Sequence, residues 1–73
     1  VQLPLFIFRC NSKYNRYGFT LDETGEKLPA MDCNGWSFLV ELPLVKDGIA
    51  IMGVPANDIL KALHTHAYYI LEP

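Results

Sequence analysis

The sequence predicts an α+β domain: a mostly antiparallel sheet of about five strands with one helix packed on one face, in the order β-β-β-β-α-β. Three observations carry this. Short apolar runs bounded by turn residues recur through the first two thirds of the chain. Only Gly53–Leu71 (GVPANDILKALHTHAYYIL) has helical spacing, and it runs straight into an apolar strand. The 73 residues fit one small domain, residues 1–73, whose core alone is marginal.

Leu3–Arg9 (LPLFIFR) is the first predicted strand. Leu5 and Ile7 point one way and Phe6 and Phe8 the other, the pattern of a central strand covered on both faces. Pro4 sits near its start, where a missing donor is tolerated. Cys10–Asn15 is a polar turn, and Arg16–Leu21 (RYGFTL) is a second short strand. Asp22–Glu26 is a turn with Gly25 free to take a positive φ. Lys27–Pro29 is placed to pair briefly with the second strand, and Pro29–Gly35 is a loop ending in the turn dipeptide Asn34-Gly35.

Trp36–Leu42 (WSFLVEL) alternates most clearly. Trp36, Phe38, Val40 and Leu42 are expected to share the core face. Pro43 ends the ladder or marks an edge, with a bulge or a frayed end expected there. Asp47-Gly48 is a hairpin dipeptide, so Ile49–Met52 (IAIM) reads as a returning strand. Pro55 suits the first helical position and Asp58 the first turn. Ile59, Leu60 and Leu63 form the buried stripe, and the helix is expected to stop near His64 or Thr65. Ala67–Leu71 is the last strand. Three strands (the first, the fourth and the last) look apolar on both sides. One helix cannot cover them all. The second face then needs a curled sheet, a second chain, or the Pro29–Gly35 loop and the Trp36 ring.

Composition narrows the function. Half of the residues are apolar (51%) and 12% are aromatic, unlike a disordered tail. The net charge is −2 with the signs interspersed, which speaks against nonspecific nucleic-acid or membrane binding. Val1–Phe8 is short for a signal core, contains Pro4 and lacks a basic leader. No apolar run approaches the roughly 20 residues of a membrane helix, so the expected location is cytoplasmic. Cys10 and Cys33 then read as two free, partly buried thiols. One bridge between them would close a loop of about twenty residues and contribute about 3 kcal/mol.

Several constellations can be weighed for chemistry. Cys10, Cys33, His64 and His66 could ligate zinc, but the close paired spacing of structural zinc sites is missing. Cys10, Cys33, Ser12 and Ser37 lack the nucleophile settings of known hydrolases. Asp22, Glu23 and Glu26 lack calcium-loop spacing, and no Gly-rich phosphate loop occurs. The expectation is therefore no enzyme, no cofactor and no metal. Arg9, Lys13 and Arg16 interleave with Tyr14, Tyr17 and Phe19, combining charge with stacking rings as single-strand nucleic-acid platforms do. Arg16–Phe19 resembles the aromatic ribonucleoprotein motif of the RNA recognition family, and Leu5–Arg9 resembles that family's other motif. A turn stands here where that family has a helix. Asn11–Gly25 resembles the cold-shock family over about a fifth of the chain, without its second aromatic strand motif.

The expected function is a non-catalytic protein-interaction or regulatory module. Its expected partner is itself, as a homodimer through the sheet or a strand edge, or another protein. The candidate surface is Arg9, Lys13, Tyr14, Arg16, Tyr17, Phe19, Tyr68 and Tyr69. Single-stranded nucleic-acid binding through residues 9–19 is the alternative, and a zinc-stapled module is a second one.

Overall fold

A computed structural model describes residues 2–30 and 32–72. Met31, within the expected 29–35 loop, lies outside the described residues. The elements are β1 (Gln2–Cys10), β2 (Tyr17–Thr20), β3 (Trp36–Val45), α1 (Ala56–His66) and β4 (Tyr68–Leu71). The strands form one sheet in the order β3-β1-β2-β4, with every neighbouring pair antiparallel. The α+β class and the helix are as expected. The strand count among the described residues is four, and the order is β-β-β-α-β.

The missing strand has a backbone explanation. Cys10 N–H donates to the Arg16 carbonyl at 2.9 Å, and Asn11 N–H to the Gly35 carbonyl at 3.1 Å. Even-numbered β1 residues thus direct their backbone groups toward β2, and odd-numbered ones toward β3. Pro4 lies opposite Pro43, so neither missing N–H falls inside the β1–β3 ladder. The gap at Pro4 points past the end of β2, whose pairing with β1 stops at Phe6 and Thr20. The gap at Pro43 points outward from the free edge of β3. A strand over Ile49–Met52 would have had to pair along that edge, where Pro43 offers no donor.

Instead, the chain turns at Asp47 and Gly48 and dips into the core. Asn57 clasps the turn: its Oδ1 accepts from Asp47 N–H at 2.8 Å, and its Nδ2 donates to Asp47 Oδ1 at 2.7 Å. Ile51 and Val54 exchange two backbone hydrogen bonds of 2.9 Å each and are both buried. Lys27–Pro29 likewise forms no strand.

The expected irregularity at Pro43 lies elsewhere. The register shifts between Ile7, opposite Val40, and Phe8, opposite Phe38, leaving Leu39 as the extra residue of a bulge. A single extra residue reverses which side chains face the core. Val40 and Leu42 pack on the helix side, with Leu44 fully buried there. Trp36 and Phe38, expected on that same face, lie on the opposite one, across from Cys10 and Phe8.

The helix covers the first face. Ile59 and Ala56 are buried, and Leu60 and Leu63 pack at the margin. Pro55 occupies the N-cap without a side-chain hydrogen bond. The helix runs to His66, slightly beyond the expected stop, and ends at Ala67 in the left-handed region (φ 70°), whose N–H reaches the Leu63 carbonyl at 3.0 Å. Its core comprises Leu5, Ile7, Phe19 and Leu44 from the sheet with Ile51, Val54, Ala56 and Ile59.

The loop between β2 and β3 covers part of the second face. Leu28 is buried over Gly18, where an added Cβ would come within 2.7 Å of it. Gly25, at φ +75°, lies against the Phe8 ring. Trp36 Nε1–H donates to the Pro29 carbonyl at 2.8 Å. Cys10 and Cys33 form a disulfide, correcting the expectation of free thiols. Closing a loop across a separation of 23 residues contributes about 3 kcal/mol on the entropic view.

Ile59→Ala removes a fully buried side chain from beneath the helix, so urea unfolding is expected to give a loss of about 2–5 kcal/mol. Pro43→Thr restores an outward donor on the β3 edge. Light scattering is expected to detect increased self-association, and an unchanged mass at millimolar concentration would refute the edge-guarding role of Pro43.

Candidate interaction surface

The structure separates the residues proposed from the sequence. Arg9, Lys13 and Tyr14 remain exposed together at the β1–β2 turn. The Arg9 guanidinium carbon lies 5.5 Å from the Tyr14 ring centroid, a cation–π stack on a ring that is 82% exposed. Phe19 has no exposed surface and belongs to the helix-side core, so it cannot stack on a ligand. Tyr17 packs half-buried against that same core. Tyr69 sits opposite Phe19, with ring centroids 5.8 Å apart, and Tyr68 stacks near His66 at 6.1 Å. Both tyrosines are half-buried on the β4 edge.

Arg16 is also drawn inward. It is buried, although the sequence placed it on the candidate surface. Its Nε donates to Glu72 Oε2, and its Nη1 donates to Cys33 Sγ at 3.7 Å. A buried guanidinium needs such partners, because an unpaired one would carry the full cost of desolvation. Arg16 therefore ties the disulfide to the segment following β4.

Cys10 and Cys33 are joined in the disulfide, and in that state neither offers a thiolate to zinc or for nucleophilic attack. His64 and His66 are exposed on the last helical turn. A hollow of about 360 Å³ lies beside the helix C-terminus, lined by Thr20, Leu21, Asp22, Lys27, Leu63 and Ala67. Its buried hydroxyl is already engaged, since Thr20 Oγ1 donates to the Ala67 carbonyl and accepts from Asp22 N–H.

Sequence reasoning missed a different surface. Among the described residues, seven large apolar side chains are exposed. Five of them (Phe38, Leu39, Val45, Ile49 and Met52) lie in β3 and the segment after it. Phe38 is 57% exposed and Ile49 is 87% exposed. Phe38 is the open end of an aromatic cluster, 5.7 Å from the Phe8 ring and 6.4 Å from that of Phe6. The run Phe38-Leu39-Val40 carried a signal, because three consecutive apolar residues cannot all face one core.

Comparison with protein-family models, curated proteins and solved structures returned no match. The surface must therefore be read from its own chemistry.

Two carboxylates titrate low. The hydrogen bond from Arg16 holds the Glu72 carboxyl below its ordinary value of 4.5; partial burial opposes this, and the charges of Arg16 and Lys13 reinforce it. Asp22 is lowered mainly by the hydrogen bonds of Thr24, at 2.8 Å from Oγ1 and 3.1 Å from N–H. A carboxylate lowered on folding contributes stability above its unfolded pKa, and that contribution is lost as pH falls through the folded value. Glu72→Gln is thus expected to lower the melting temperature at pH 7 and to flatten its decline below about pH 4.5. A melting profile parallel to wild type across that range would refute the role of the ion pair.

Proposed function

We propose that this protein is a non-catalytic interaction module, stapled by a disulfide, that binds through the apolar margin formed by β3 and the segment after it. The concentration of five exposed large apolar side chains on that one stretch carries the reading. Side chains of this kind are expensive to leave in water and are commonly covered by a protein partner. The occupant proposed is a second copy of this chain. A core of this size gains most from burying more apolar area, and Glu41 and Lys46 place both charge signs on the margin. The contact would be made by side chains, because Pro43 interrupts the backbone donors of the edge.

The disulfide weighs against the cytoplasmic setting suggested by the sequence, since cytosolic thiols are kept reduced. Among the described residues, no helix is long and apolar enough to cross a membrane. An oxidising compartment therefore fits the reading better. The single-strand nucleic-acid alternative keeps only Arg9, Lys13 and Tyr14 as an exposed basic-aromatic group, which gives it less support.

Sedimentation equilibrium from micromolar to millimolar concentration tests the proposal. Wild type is expected to approach the dimer mass. Phe38→Ser combined with Ile49→Ser is expected to weaken association about tenfold or more, with the circular dichroism spectrum unchanged. A monomeric wild type across the whole range would sink the self-association reading.

A further inference from the structure

The loop between β2 and β3 acts as a strap fastened over the second face of the sheet. Its attachments among the described residues include Leu28 over Gly18, Gly25 on Phe8, Trp36 bonded to Pro29, Asn11 Nδ2 bonded to the Asn34 carbonyl at 3.2 Å, Ser12 Oγ donating to the Asp32 carbonyl, Arg16 Nη1 donating to Cys33 Sγ, and the Cys10–Cys33 disulfide. Phe8, Cys10, Leu28 and Cys33 form the buried apolar set beneath it. None of these belongs to the helix-side core, which lies across the sheet. Local opening occurs where a segment is held by few contacts of its own, and this loop carries no strand or helix among the described residues. The helix-side core, by contrast, takes no side chain from this loop.

We infer that this strap is thiol-controlled: reduction of Cys10–Cys33 by a small dithiol or a glutathione-type thiol releases it and uncovers the Phe6–Phe8–Phe38 face for binding. The release is argued from the strap's attachments, of which the disulfide is the covalent one, and its effect on binding rests on the interaction reading above. The strap covers Phe8 at Gly25, and Phe8 lies against the exposed Phe38, which also neighbours Phe6, so removal extends an apolar patch that is partly open.

The two sulfurs have unequal surroundings. Arg16 Nη1 donates to Cys33 Sγ at 3.7 Å, whereas Cys10 Sγ lies 3.5 Å from the Ser12 hydroxyl. A neighbouring guanidinium stabilises a thiolate, and exchange proceeds faster when the departing sulfur is the better thiolate. The incoming thiolate attacks Cys10 Sγ. The S–S bond breaks, and its electron pair leaves on Cys33 beside Arg16. A second thiolate then attacks the small-molecule sulfur of the mixed disulfide, and Cys10 departs as thiolate. The net change converts one protein disulfide and two small thiols into two protein cysteines and one small-molecule disulfide. Both protein sulfurs are buried, so attack follows transient opening of the strap.

Hydrogen exchange read by mass spectrometry, on the full chain with and without dithiothreitol, tests the release. Loop amides are expected to exchange about tenfold faster or more after reduction, while those of Leu5–Ile7 and α1 change little. The Cys10→Ser/Cys33→Ser double variant is expected to reproduce that pattern in the absence of reductant. Retained loop protection, or loss of protection throughout the chain in either sample, overturns the inference. With limiting glutathione, the trapped adduct is expected on Cys10. Equal labelling of Cys33 overturns the assigned direction of attack. Sedimentation of the reduced protein is expected to show tighter self-association than the oxidised form. Release with unchanged association overturns the binding half alone, whereas no association in either form overturns the interaction reading itself.

Discussion

β1 is apolar on both sides, and the rest of the chain is arranged to cover it. Leu5 and Ile7 require one cover, and Phe6 and Phe8 require another. A helix supplies the first through Ile59 and Ala56. The second comes from an irregular loop, which has no ladder of backbone hydrogen bonds to hold it. A loop lying flat on a sheet must be fastened by other means. Here the means are a disulfide at one end, Leu28 seated over a glycine, and a tryptophan N–H bonded to a loop carbonyl. The two covers thus differ in kind: one is packed regular structure, and the other is a fastened segment.

The prolines and the bulge settle the rest of the sheet. Pro4 and Pro43 lie opposite each other at a position where neither is asked to donate within their shared ladder. That placement lets β3 run on to Val45 against β1, but it spoils the outer edge for a further strand. The bulge at Leu39 then rotates Trp36 and Phe38 to the strap side while leaving Val40 and Leu42 under the helix. Trp36 can reach the loop only because of that extra residue.

Much of this was legible in the sequence. The helix, the two-faced first strand, the polar turns and the shortage of covering elements all follow from periodicity and composition. What was not legible depended on contacts distant in sequence. Alternation across Trp36–Leu42 looked regular, because a bulge is a property of two strands and not of one. Asp47-Gly48 announced a turn, but whether the chain then pairs or dives depends on the donor missing at Pro43. The cysteines could be read as free or joined. Only the pairing of Cys10 with Trp36 across the sheet brings Cys33, three residues before Trp36, to the correct side. Among the proposed site residues, Arg9, Lys13 and Tyr14 kept their exposure. Phe19 and Arg16 lost theirs for opposite reasons, one to apolar packing and the other to an ion pair.

An unpaired edge usually threatens a small sheet with uncontrolled growth. In β3 the backbone is guarded by Pro43, by the bulge and by the charge of Glu41, yet the side chains around it stay apolar. Guarding the backbone while leaving the side chains open has a selective effect. Any strand can add to a bare ladder, because the ladder is the same for every sequence. A surface of Phe38, Leu39, Val45 and Ile49 instead demands a partner of matching shape. The margin thus discourages indiscriminate strand addition while keeping the apolar area that the proposed association would bury. The strap covers Phe8, the neighbour of Phe38 at one end of that margin, so on the proposed reading the disulfide governs how far the apolar surface extends beyond Phe38.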